Sequence, residues 1–278
     1  MPELPELEVI REVLARRVVG QTIAAVDVAP AGGPLVIRDM TGQGFAASLA
    51  GVTIAAAARR GKFLILAGEP EIYLVINPKL TGRLQLAAAG EKRHAKTHVT
   101  FTLSGGDELR YVDQKRMGQL YLTREPPERA SIPDFAGMGP EALAVTREEF
   151  LARLRPFRGE IKGILTNSNF LAGVGNAYAD EILWAARLHP YRKRTSLSAG
   201  ELDALYAAVG STLLGAIEKV RAEMGEEIHR EPRDFMAVHM RTGAPCPRCG
   251  TPISMIGANQ RITNFCRTCQ PGGLIKGM

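Results

Sequence analysis

Four cysteines fall in two short pairs, CPRC at Cys246 and Cys249 and CRTC at Cys266 and Cys269, with 16 residues between the pairs. Each short turn aims two thiolates at one point, and two such turns make a tetrahedral four-cysteine Zn²⁺ site. Two disulfides or unrelated free thiols are the alternatives, and a reducing compartment disfavours the first. Four thiolates leave no position for a metal-bound water, so the expected cofactor is one structural Zn(2+) that takes no part in catalysis. The cluster carries a formal charge of about −2, yet no acidic residue follows Asp234, while Arg241, Arg248, Arg261, Arg267 and Lys276 do. A polyanion, nucleic acid first, is the expected partner; a solvated basic segment is the other reading. Arg261, between the cysteine pairs, is the candidate phosphate contact, because a turn there presents a guanidinium fork.

The second candidate is the chain start, MPELPELE. Removal of Met1, usual before proline, exposes the secondary amine of Pro2. Reference α-amines titrate near 7.7 to 8 and lysine near 10.4, so a terminal amine holds far more neutral, nucleophilic form at neutral pH. A helix N-terminus nearby lowers its pKa further. Attack on C1′ of a damaged nucleoside expels the base and leaves an iminium ion with no N–H to lose. That ion acidifies the 2′ hydrogens, so the 3′ phosphate can be eliminated. Glu3 and Glu6 are near enough in sequence to move the protons, although carboxylates at a helix start also serve as caps or dipole partners.

These residues need elements to position them. A helix is expected from about Pro5, with Leu7, Ile10, Leu14 and Val18 as its apolar stripe. From about Thr22 to Thr123 short β-rich runs follow, among them TIAAVDV, GKFLILAG, IYLVIN, HVTFTL, ELRYV and GQLYL, with SGGD as a hairpin turn. REPPERASIPDF, residues 124 to 135, reads as a linker. Beyond it TREEFLARLR, GEIKGILTNS, NAYADEILWAARL and the long run from Glu201 to Met224 carry helical periodicity. The fold expected is α+β and multidomain: an N-terminal β-sandwich with a leading helix in 1–130, a helical domain in 131–236 and a zinc finger in 237–278. With 45% hydrophobic and 23% charged residues and no apolar run near the ~20 residues that cross a bilayer, membrane insertion is not expected. Nor is a secretory signal, since Glu3, Glu6, Glu8 and Glu12 occupy the place of a basic leader. A cytoplasmic, monomeric protein is the expectation.

With PELPELE at one end and CPRC…CRTC at the other, the chain resembles the formamidopyrimidine-DNA glycosylase and endonuclease VIII family. NFLAGVGNAYADEILWAARLHP, Asn169 to Pro190, resembles that family's helix, two turns, helix motif. Gly173 and Gly175 allow tight turns there and Asn176 opens a helix as cap or phosphate contact; an ordinary capped amphipathic helix is the plain alternative. The resemblance implies a β-sandwich and a helical domain flanking a cleft, with a zinc finger beside the helices. It implies Pro2 as Schiff-base nucleophile, Glu3 in sugar opening and proton transfer, Glu6 in support, and Lys62 as a lysine that contacts phosphate and aids catalysis. Asn176 and Arg261 would hold the backbone around a lesion in double-stranded DNA bearing damaged bases or abasic sites, with the damaged base flipped out. The implied activity is a bacterial base-excision glycosylase and abasic-site lyase, by β- or β,δ-elimination.

Three positions depart from the family pattern. Where such enzymes fill the gap left by the flipped base with a Met from an HLGM-like loop, this chain reads NPKL and offers Leu80. Where a D-x-R-x-F-G loop supplies Arg and Phe, it reads DQKRMG and offers Lys115 and Met117. Lysine lacks arginine's bidentate fork, and methionine wedges without stacking, so the preferred lesion and opposite base are open. EEIHREPRD, residues 226 to 234, also differs from the Gly- and Ser-rich loop that can cover oxidised purines. A competing reading is a damage-binding protein of this fold with weak or no base excision.

Overall fold

A computed structural model of the protein describes residues 1–257 and 262–272. The chain parts into two compact units, residues 1–136 with 220–232, and residues 137–219 with 233–278.

The first unit opens with helix α1 (Leu4–Arg17), which begins where Pro5 suits the first turn and ends with Arg16 and Arg17 against the helix dipole. Strand β1 (Ile23–Val28), the turn α2 (Gly33–Val36), β2 (Ile37–Asp39) and the turn α3 (Phe45–Leu49) follow. Then come β3 (Thr53–Arg60), β4 (Phe63–Glu69), β5 (Ile72–Asn77), β6 (Gly82–Ala88), β7 (Thr97–Leu103), β8 (Asp107–Asp113) and β9 (Gln119–Thr123). They form two sheets, ordered β1-β7-β8-β6 and β2-β9-β5-β4-β3. All pairings are antiparallel except β2 with β9. Phe101, Leu109 and Tyr111 of one sheet and Leu64, Leu74, Ile76 and Leu120 of the other are buried, each such side chain worth about 1.5–3 kcal/mol for aliphatic burial. The N-terminal β-sandwich with a leading helix is therefore present. Leu7, Ile10, Leu14 and Val18 are buried as expected, joined by Leu4, Val9 and Val13. Strands β2, β3 and β6 lie within the β-rich stretch but not among the runs quoted from it: β2 is three residues long, β3 is alanine-rich and β6 is mixed in composition.

The segment read as a linker is not loose. Ala130, Ile132 and Phe135 are buried, and the Phe135 ring meets Phe63 edge-on at 5.2 Å between centroids. Proline and charge there mark irregular backbone, while three apolar side chains pin it to the sandwich.

In the second unit, α4 (Arg147–Leu154) is capped by Thr146, whose hydroxyl accepts from the Glu149 N–H at 3.2 Å. Helix α5 (Ile161–Leu165) and helix α6 (Asn176–Ala185) flank two turns, and α7 (Ala199–Met224) gives its residues from Val220 to the first unit. Phe170 packs edge-on against Phe150 and Phe157. A short hairpin, β10 (Ser254–Ile256) with β11 (Thr263–Phe265), carries the finger. Phe265 is buried, with its ring 4.6 Å from that of His189. Among the described residues no helix is long and apolar enough to cross a membrane.

Candidate active site

Local chemistry fixes the start of α1. Glu3, in extended backbone, is the N-cap, and its N–H donates to the Glu6 carboxylate at 2.8 Å in a capping box. Pro2, Glu3 and Glu6 are all buried, so these carboxylates stand beside the terminus and not in bulk water. Lys62, half-buried in the turn between β3 and β4, faces Glu3: burial pushes its ammonium below the ordinary lysine value, and the Glu3 carboxylate opposes that shift. The structure thus brings Glu3, Glu6 and Lys62 together at the amino end of α1. The sequence alone had not placed Lys62 there.

The two departing loops lie side by side because the sheets force them to. Asn77 pairs with Gln119 in one sheet and Gly82 pairs with Asp113 in the other, so residues 78–81 and 114–118 cross between the sheets together. Asp113, fully buried, is their shared anchor. Its carboxylate accepts from the Thr81 hydroxyl, from the Lys115 N–H at 3.1 Å, from the Gly118 N–H at 2.8 Å and from the Tyr111 hydroxyl at 3.3 Å. The Lys115 N–H also donates to Thr81 Oγ1 at 3.0 Å. Gly118 is required here: a Cβ would sit 1.9 Å from the Tyr111 hydroxyl. Each loop turns at a non-glycine residue in the left-handed region, Lys79 at φ 46° and Arg116 at φ 53°, a conformation costing about 1–2 kcal/mol. The outcome is that Met117 is 41% exposed, Lys115 is exposed and Leu80 is half-buried. Met117 is thus not a core residue.

In the second unit, Gly173 at φ 97° makes the tight turn before α6. Gly175 is the N-cap and Asn176 the first helical residue, with its side-chain amide donating to the Ile262 carbonyl at 2.8 Å. Asn176 is thus tied to the finger. Arg261 lies outside the described residues. Ile262 beside it is also held by Lys162, whose ammonium donates to that carbonyl at 3.2 Å and to Thr263 Oγ1 at 2.8 Å. Lys162 in turn pairs with Asp180 at 2.6 Å, and His239 Nδ1 lies 2.9 Å from the other Asp180 oxygen. Glu181 accepts from the N–H groups of Ala237, Val238 and His239 at 2.8, 2.8 and 2.9 Å. Sequence reasoning missed this network and the Asp113 anchor alike. The one available signal was the pair Asp180 and Glu181 inside an otherwise apolar helix.

The cysteines fit the metal. Their four Sγ atoms lie within 4.8 Å of one another, with 3.9 Å from Cys246 to Cys269 and 3.5 Å from Cys249 to Cys266. A tetrahedron with Zn–S near 2.3 Å has edges of about 3.8 Å, whereas a disulfide needs about 2.05 Å. Trp184 Nε1 donates to Cys246 Sγ at 3.4 Å and Arg248 stacks over the same indole at 4.1 Å. Cys246, Cys249, Cys266 and Cys269 would hold one structural Zn²⁺, which supplies folding energy and no reaction step.

Comparison with known proteins agrees along the whole chain. Residues 1–120 match the formamidopyrimidine-DNA glycosylase N-terminal domain, 137–226 its H2TH domain and 243–272 the zinc finger found in FPG and IleRS. A formamidopyrimidine-DNA glycosylase of Symbiobacterium thermophilum is 38% identical over 278 residues, covering 98% of this chain and 90% of that one. Among solved structures, a Lactococcus lactis Fpg in complex with abasic-site DNA superposes with a TM-score of 0.85 at 28% identity, covering 97% of this chain and all of that one. A Lactococcus lactis Fpg mutant in complex with Fapy-dG containing DNA gives 0.84 at 29%, covering 98% and 100%. The sandwich behind a leading helix, the helix with two turns and the four-cysteine finger occur in the same order as these matches, and the chain belongs to the formamidopyrimidine-DNA glycosylase family.

Proposed function

We propose that the mature Pro2 amine is the nucleophile of a base-excision DNA glycosylase and abasic-site lyase. The chain is such an enzyme by family, and the observation that carries the residue assignment is the burial of Pro2, Glu3 and Glu6 together at the start of α1, with Lys62 facing Glu3. A damaged base turned out of double-stranded DNA would present C1′ to that amine. The amine attacks C1′, the base leaves with its bonding electrons and takes up a proton, the new ammonium gives up its proton, and the C1′–O4′ bond then opens as O4′ takes up a proton, which leaves a fully substituted iminium. Glu3 is the proton carrier for sugar opening and for the leaving base. Glu6 orients Glu3 through its backbone N–H. Lys62 is the cation for a phosphate flanking the lesion. Loss of a 2′ hydrogen then expels the 3′ phosphate, with the 5′ phosphate following in a β,δ course.

Substrate handling is assigned to the remaining residues. Asn176 and Arg261 hold the strand near the lesion, and Leu80, Met117 and Lys115 enter the duplex gap from the paired loops. Catalysis belongs to residues 1–130, strand binding to the helices of 131–236 and the finger of 237–278, in a monomer acting in the bacterial cytoplasm.

Borohydride trapping on duplex DNA with an abasic site tests the nucleophile. A covalent adduct is expected from the processed chain, and Pro2→Gly or one extra residue ahead of Pro2 should cut it by at least an order of magnitude, since general and covalent catalysis at such a group contributes factors of about 10²–10⁴. Binding without an adduct would make the protein a damage-binding member of the family.

A further inference from the structure

The segment EEIHREPRD, which differs from the glycine-rich loop expected in its place, is not a free loop. Ile228 is fully buried, and Glu226 pairs with Arg16 at 2.9 Å and Arg17 at 3.3 Å on α1. These contacts deliver Glu231 to the chain start. Its Oε1 lies 2.9 Å from the Met1 amine, and its Oε2 accepts from Arg83 at the beginning of β6. The Glu231 side chain is 15% exposed, so solvent screens the pair only in part.

We propose that Glu231 is the counter-ion of the Pro2 amine in the mature enzyme, a positioning residue that sets the pH at which the nucleophile becomes free. The proposal rests on the Pro2 reading. Removing Met1 moves the terminal charge inward by one residue, about 3.8 Å along the chain, a separation that one water would bridge between the Pro2 ammonium and Glu231. The charged groups flanking the terminus are Glu3 and Glu6 of α1, Lys62 of the β3–β4 turn, Arg83 of β6 and Glu231 itself. Glu231 pairs with the amine of residue 1 at 2.9 Å. Its negative charge favours the ammonium, and Arg83 offsets part of that charge. As pH rises the ammonium gives its proton to water and no other bond changes. The neutral amine then attacks.

Removing the carboxylate should therefore free the amine at lower pH, and removing Arg83 should do the reverse. The experiment is the pH profile of borohydride trapping on abasic-site duplex for the processed wild type, Glu231→Gln, Glu231→Asp and Arg83→Gln. Glu231→Gln should move the acidic limb down by about one pH unit, Glu231→Asp should leave it near the wild-type position, and Arg83→Gln should move it up. A titration of ¹⁵N-labelled Pro2 should give the same order without turnover. A Glu231→Gln profile that drops in height with its limb in place would reduce Glu231 to a structural strap and overturn the proposal. A wild type that forms no adduct would instead remove the Pro2 reading, and this one with it.

Discussion

Asp113 illustrates how one side chain can govern chemistry it never touches. It carries no expected catalytic role, yet three donors from two loops and the Tyr111 hydroxyl of β8 converge on its carboxylate, and a buried acceptor of that kind is replaced only at the cost of orphaned donors. Asp113→Ala should lower stability by roughly 2–4 kcal/mol, measured by urea unfolding. It should also lower kcat/KM on lesion-bearing duplex while the borohydride adduct still forms, because the loops and not the nucleophile are loosened. An adduct lost in parallel with kcat/KM would show that Asp113 serves the reacting centre instead. At the same scale, Lys115 and Met117 are exposed on loops whose backbone the Asp113 anchor holds, so Lys115→Arg should change the ratio of kcat/KM between duplexes with different bases opposite the lesion, if Lys115 reads that base as proposed.

At the scale of elements, α1 positions the site, and an ion pair locks it to the sandwich. Glu8 accepts from Arg59 of β3 at 2.8 Å and from Arg11 at 2.8 Å. Burial alone would raise the Glu8 carboxyl, but the two guanidinium groups win and hold it below the usual carboxylate range. Arg221 does the same to Glu12, against a smaller effect of burial, and Arg93 with Arg110 does it to Glu108 against burial. A carboxylate depressed in the folded state contributes stability that is present above its unfolded value of 4.5 and is lost as pH falls through the folded value. Stability of the first unit should therefore fall as pH drops below about 4.5. Glu8→Gln should cost about 1–3 kcal/mol at pH 7 and flatten that acid limb in thermal melts. A variant with the same slope as the wild type would show that the Arg59 pair does not tie α1 down.

For the whole molecule, the two compact units stand on different supports. The first has a sandwich core, whereas among the described residues the finger of the second has a small cluster of Val238, Cys246, Ile253 and Cys266, with Trp184, Ala237 and Cys269 packed against it. So small a cluster depends on the metal for its folding energy. Trp184 is the single tryptophan of the chain and touches both Cys246 and Arg248. Its emission is thus a built-in reporter of the finger. Chelation of zinc should shift that emission to the red and abolish DNA binding while the β signal in circular dichroism persists. Unchanged emission after verified zinc loss would mean the finger holds itself together without the ion.

The amino-acid sequence by itself determined the reaction class and the metal, because Pro2 behind Met1 and two C-x-x-C turns carry their chemistry in local covalent order. It also determined the leading helix and most strands, through apolar periodicity. What only the tertiary structure decided is what lies far apart in sequence: Lys62 against Glu3, Thr81 against Asp113, Lys162 and Asn176 on Ile262, and Glu231 at the chain start. A charged or polar residue has no period that reveals its partner, and burial, which turns such a pair from a solvated accident into a fixed contact, exists only once distant segments pack. Pro2 is the proposed nucleophile by its position in the chain; the carboxylate proposed to hold its charge, Glu231, lies 229 residues away in sequence and meets the chain start only where packing places it.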